Sequence, residues 1–198
     1  METRPARRNT AQQKSGSALN AQAGFTQQFL REAERLLEKH YLPRISSCLN
    51  HLDEQDIWWR PNPASNSAGN LTLHLAGNVR QWIVCGLGGK PDFRDRNREF
   101  QEQGPVPARL LLATLRKSVQ EGCAVLGALG PDELGTLYAI QKFQVTGFQA
   151  VSHVVDHFAY HSGQIVFITK LKLGQDLNFT RLPGATSQSR KGPRFPAI

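Results

Sequence analysis

The sequence predicts an all-α protein, a four-helix bundle, and three observations predict it. Four segments carry apolar residues at helical spacing, almost nothing alternates with the period of a strand, and the connections are each roughly twenty residues. Connections of that length reach along a whole bundle helix, so an up-up-down-down arrangement with long crossover loops is allowed and favoured. At 198 residues the chain suits one domain with a substantial core.

The first helix is expected from about Phe25 to Leu49, with Phe29, Ala33, Leu36, Leu37, Tyr41 and Ile45 on one side and Pro43 disturbing it. The second follows the turn-rich stretch RPNPASNSAGN, with Asn70 as N-cap, and stops at Gly88 and Gly89. The third runs from just after Pro107 to about Gly127. The fourth runs from about Thr146 to Leu173 and closes at Gly174, after Lys170 and Lys172.

The ends differ in composition. Residues 1–20 and 181–198 read as disordered basic tails flanking the bundle at 21–180. Arg4, Arg7, Arg8 and Lys14 against Glu2, with Arg181, Arg190, Lys191 and Arg194, supply seven of the eight net positive charges. A basic charge confined to the ends argues against a nucleic-acid surface on the body. Cys48, Cys85 and Cys123 are widely spaced and odd in number, as expected of free thiols in a reducing compartment. No apolar leader or membrane-length stretch is present, so the expected location is cytoplasmic, with no membrane partner.

Half of the six histidines fall in HVVDHFAYHSGQ, at His153, His157 and His161. On a helical wheel with Phe158 at zero, Val151, Val154, Val155, Ile165 and Thr169 form the core stripe, while His161 lies at about −60°, His157 at about −100° and His153 at about −140°. Only neighbours four apart can share an ion, because eight residues rise roughly 12 Å. Position relative to the core selects His157 with His161 and leaves His153 nearer water. A third ligand must come from His40, His51 or His74. His74 falls at about −100° from Leu75 on the second helix, on the shoulder of its apolar stripe, beside Asn78, Gln81 and Cys85. Each helix thus presents histidine at the rim of its core face, as a site inside a bundle requires.

Three stretches, NSAGNLTLHLAGNVRQWIVCGLGG, DFRDRNREF and VSHVVDHFAYHSGQIVFITKLKLGQDL, together resemble the DinB/YfiT-like superfamily, within it an uncharacterised branch known as a domain of unknown function. The similarity extends from about Phe25 to Phe179. The resemblance implies a metal held by His74, His157 and His161, with zinc and nickel both suited to three imidazoles, and a homodimer. It also implies, as one option, transfer of a low-molecular-weight thiol to an electrophile, a hydrolase being another. A third option is a non-catalytic, metal-stabilised bundle acting as a scaffold or dimerisation module. Asn78, Gln81, His153 and Gln164 are candidates to orient the ligands or a small-molecule substrate. Arg94 and Arg96 are candidates to bind an anion, although their interleaving with Asp95 and Glu99 favours ion pairs between neighbours. WWRPNP, from Trp58 to Pro63, reads as a loop anchor packed on the bundle.

Overall fold

Capping chemistry places the starts of the second and fourth bundle helices. In the computed structural model, which describes the backbone of residues 9–179 and side chains from residue 20, the first bundle helix comprises α1 (Asn9–Glu34), a π-helical stretch (Arg35–Tyr41) and α2 (Leu42–His51). The short α3 (Glu54–Trp58) leads to α4 (Ala68–Val79), which continues as a second π-helical stretch (Arg80–Leu87) to make the second bundle helix. A crossover carrying α5 (Arg96–Gln101) reaches α6 (Ala108–Leu126), the third. After α7 (Pro131–Gly135) and a hairpin of β1 (Leu137–Ile140) and β2 (Phe143–Thr146), α8 (Gly147–Leu173) is the fourth.

The Thr146 hydroxyl accepts from the Gln149 amide at 3.2 Å while the Gln149 side chain accepts from the Thr146 amide at 2.8 Å, closing a capping box at the start of α8. Gly174 ends that helix in the left-handed region at φ 63°, its N–H bonding the Lys170 carbonyl. At α4 the N-cap is Ser67, not the expected Asn70. Asn70 sits three residues on, completes the box with Ser67, and turns its amide N–H groups to the Glu99 and Glu102 carbonyls at 2.9 and 2.7 Å. One asparagine thereby starts the second helix and ties down the crossover. The disturbance expected at Pro43 appears as the π-helical stretch just before it, where the Leu42 amide bonds the Leu37 carbonyl five residues back.

The first helix starts at Asn9, inside the stretch expected to be a tail. Residues 9–20 hold no proline to stop the helix, which runs through them although Ser15, Gly16 and Ser17 are weak helix formers. Residues 1–8 and 180–198, the rest of the expected tails, lie outside the described residues.

Directions follow from the pairs in contact. Phe29 meets Phe148 and Tyr41 meets Phe158, so the first and fourth helices run parallel. His74 meets His161 and Trp82 meets His153, so the second opposes the fourth. A side chain at Gly122 would meet Val79 and one at Gly88 would meet Val125, so the second and third run together. The all-α four-helix bundle is as expected, with the first and fourth helices pointing one way and the second and third the other. The long path of the up-up-down-down expectation is taken between the second and third helices alone, because α3 and the hairpin consume the other two connections locally. A single core, centred on Leu37, Ile45, Leu75, Val79, Leu115, Phe158 and Ile165, fills the interior. Ile140 closes its end above Gly86, where a Cβ would collide with it.

Candidate metal centre

His74 enters from α4 and His157 and His161 from successive turns of α8, on the antiparallel pair of helices. One ligand nitrogen from each lies within 4.8 Å of the others. Ring centroids are 4.9 Å apart for His74 and His157, 5.1 Å for His74 and His161, and 4.4 Å for His157 and His161. His74 is 3 % exposed and His161 9 %, while His157 is half-buried.

Hydrogen bonds on the far side of two rings decide which nitrogens face the centre. His74 Nδ1 lies 2.9 Å from Glu99 Oε2, a carboxylate oxygen that can only accept, and 3.0 Å from an Arg94 terminal nitrogen that itself donates to Glu99 Oε2, so Nδ1 carries the hydrogen. His161 Nδ1 donates to the Gln164 side-chain oxygen Oε1 at 2.7 Å. Each ring therefore keeps its Nε2 lone pair directed inward. His157 Nε2 lies 2.8 Å from His74 Nε2. Ligands of one tetrahedral ion bonded at roughly 2.0 to 2.1 Å stand about 3.3 Å apart, so these two rings would part by about half an ångström, and the third nitrogen, within 4.8 Å, would close in, for the three to hold one metal ion. Burial, with the neighbouring histidines, holds His157 down to about 3 and lowers His161 and His153 from the usual imidazole range. These rings are neutral at pH 7, the protonation state a metal requires.

Glu99 is the site residue that sequence reasoning missed in this role. It reaches His74 across 25 residues from α5 and is itself clamped by Arg94, whose Nε and a terminal N–H donate to its two oxygens at 2.7 and 2.8 Å. Side-chain exposure is 6 % for Arg94 and 11 % for Glu99. Arg94 also donates to Gln81 Oε1 at 2.9 Å and to the His74 carbonyl at 3.2 Å. As an anion site Arg94 is thus already spoken for: its guanidinium is an internal ion-pair partner. Arg96 is exposed, its guanidinium 4.9 Å above the Phe100 ring, which in turn packs 4.6 Å from His74.

The remaining candidates fall at graded distance from the centre. Gln164 touches a ligand directly. Gln81 acts one residue removed, through Arg94, and also binds Asp92 and the hairpin residue Gln141. Asn78 Nδ2 lies 3.4 Å from His153 Nε2, and its Oδ1 is buried without a hydrogen-bond partner among the described residues. His153, expected nearer water, is half-buried between Trp82 at 4.0 Å and His157 at 5.3 Å. His40 and His51 take no part: one contacts Arg44 and the other the Ser47 carbonyl. The Trp58 indole donates to the Val106 carbonyl at 3.3 Å, and Arg60 binds Asn70 and the Phe100 carbonyl, so WWRPNP does anchor the loops.

A family of proteins of unknown function, DUF1572, matches residues 24–185. The chain belongs to the DUF1572 family. Among solved structures, this DUF1572 chain is similar to a DinB-like protein from Bacillus cereus ATCC 10987, with a TM-score of 0.53 and 16 % identity over 67 % of this chain and 85 % of that one. The DinB-like resemblance expected from the sequence therefore holds at the level of the fold. No functionally curated protein matches the DUF1572 chain. Among its described residues no helix is long and apolar enough to cross a membrane, and all three cysteines are free.

Proposed function

We propose that His74, His157 and His161 hold a zinc or nickel ion and that the chain is a metal-dependent enzyme acting on a small molecule, by transfer of a low-molecular-weight thiol to an electrophile or by hydrolysis. The carrying observation is the convergence of three imidazoles as the whole protein donor set among the described residues, which suits a catalytic rather than a closed structural ion. Bound there, a divalent ion brings a thiol or water to ionisation near neutral pH. Glu99 and Gln164 fix the ring orientation of His74 and His161. Phe100 and Tyr160 pack on those two rings. Arg96 stands exposed over the Phe100 ring, without an ion-pair partner among the described residues, where its charge attracts an anionic group of the substrate. The three free cysteines fit a cytoplasmic setting, and exposed Phe25 and Phe148 offer apolar surface for a homodimer.

A second reading, a metal-stabilised scaffold without turnover, draws on the near-complete burial of His74 and His161. Elemental mass spectrometry on protein purified without metal-affinity resin tests the common premise. About one equivalent in the wild type, lost in His74→Ala, His157→Ala and His161→Ala but kept in His153→Ala, is expected. No metal after incubation with zinc and nickel refutes both readings. Full metal content with no spectral change when the cobalt-substituted protein is given a thiol or an anion leaves only the scaffold.

A further inference from the structure

Two clefts flank the histidines, and their chemistry differs. One, of about 460 Å³, lies behind His74 and is walled by Arg80, Arg94, Arg98, Glu99 and Glu102 over Leu73 and Val106. It meets the centre only through the Arg94–Glu99 pair, whose donors and acceptors are committed to each other and to His74. The other, of about 510 Å³, lies between α8 and the loop before α4, with Trp59, Leu71, Phe167 and Leu171 as its apolar walls. Tyr160 and Gln164 line this second cleft and also touch His161, Tyr160 edge-to-face at 5.1 Å and Gln164 at 2.7 Å. Between the second cleft and the metal ligands therefore stand one exposed phenol ring and one uncharged amide.

The volume is that of a small-molecule site, and an apolar lining with a few polar groups at one end is how such sites bind and orient their ligands. Gly163, in the middle of α8, is exposed on the rim of this cleft, and a Cβ built there meets nothing within 4 Å, so a larger side chain at this position can reach over the cleft without a backbone collision.

Resting on the reading that the three histidines hold a catalytic ion, we infer that this cleft binds the body of the substrate: a small molecule with an apolar, aromatic-sized body whose metal-binding head passes Tyr160 and Gln164 to His161. The polar end of the cleft, at Ser65 and Asn66 on the opposite wall, is suited to a single hydrogen-bonding substituent on that body. The charged cleft behind His74 serves the ligand's support rather than the substrate.

Cobalt(II) replaces zinc or nickel in the test, because thiolate binding to it gives a charge-transfer band. Full-length cobalt-loaded protein is titrated with benzyl mercaptan, which presents both a metal-binding sulfur and an apolar ring, and with 2-mercaptoethanol, which has the sulfur alone. The wild type is expected to bind benzyl mercaptan at least about tenfold more tightly than 2-mercaptoethanol, the effect of burying a ring's apolar surface. Gly163→Leu and Ala64→Phe, which fill the cleft from opposite walls, are expected to erase that preference while leaving cobalt content and 2-mercaptoethanol affinity unchanged. Equal affinities for the two thiols in the wild type, or a preference that survives both variants, overturns the inference while leaving the metal centre standing. Failure of cobalt to bind, or loss of the d–d spectrum only in variants outside the three histidines, removes the metal reading itself and the inference with it.

Discussion

Glu99 illustrates how a side chain that never meets the ion can set its affinity. Its carboxylate accepts from His74 Nδ1 and is held by two donors of Arg94, so the His74 ring can neither rotate nor exchange tautomers without breaking buried, charge-assisted bonds. Removing the carboxylate in Glu99→Ala frees the ring and leaves the Arg94 guanidinium buried without its anion, so two losses coincide. Metal affinity measured by chelator competition is expected to fall about 10- to 100-fold. Glu99→Gln keeps an acceptor for the His74 N–H and should fall less. Equal affinity in the wild type and Glu99→Ala would mean that the ring is held by its packing on Phe100 instead. Gln164 is the corresponding support for His161, and because it is neutral its removal should cost less than that of Glu99.

At the scale of elements, the close passage of α4 beneath α5 keeps this support in place. Gly77 lies under the Arg94–Glu99 pair, and a methyl there would collide with both the Glu99 carboxylate and the Arg94 Nε. Gly77→Ala should therefore weaken metal binding although it introduces the better helix former and touches no ligand; unchanged affinity would show that the crossover can shift aside. Thr146→Ala, which removes the N-cap of α8, should cost about 0.5–2 kcal/mol in denaturant unfolding without changing metal stoichiometry. The same elements show what could be read in advance. The three histidines were legible because each depends only on the phase of its own helix, and two lie four residues apart on one face. Glu99 was not, since a contact over 25 residues, from the short α5 of the crossover to α4, has no period to betray it. The hairpin escaped because each strand has four residues and its turn, Gln141–Lys142, holds Gln141 at φ 55° without the glycine or asparagine that usually marks such a turn. Helix directions were open for a different reason: connections of similar length can be spent on a crossover or folded up locally, and only packing chooses.

For the whole molecule, burying neutral histidines couples stability to pH and to metal. His157 titrates at about 3 in the folded chain, while the unfolded chain takes up that proton near the ordinary value of 6.5, and His153 and His161 are lowered in the same direction by burial. Between those limits the unfolded state binds more protons than the folded state, so stability rises with pH across the window. Their contribution is whole above about pH 6.5 and is lost progressively as pH falls toward 3. The chelator-treated protein should accordingly show a melting temperature that declines as pH is lowered from 7 to 5, and His157→Gln should flatten that decline. Zinc or nickel adds a second linkage, because the ion binds the folded arrangement and competes with protons for the same nitrogens. At a free concentration a hundredfold above its dissociation constant, the ion stabilises the fold by about 2.7 kcal/mol, raising the melting temperature by roughly 5–11 °C for a domain of this size. That increment should shrink steeply below pH 6, where each unit of acidification sets more protons against the metal. A melting temperature independent of both metal and pH would show that the three rings pack as ordinary core residues, and the enzymatic and scaffold readings would fall together.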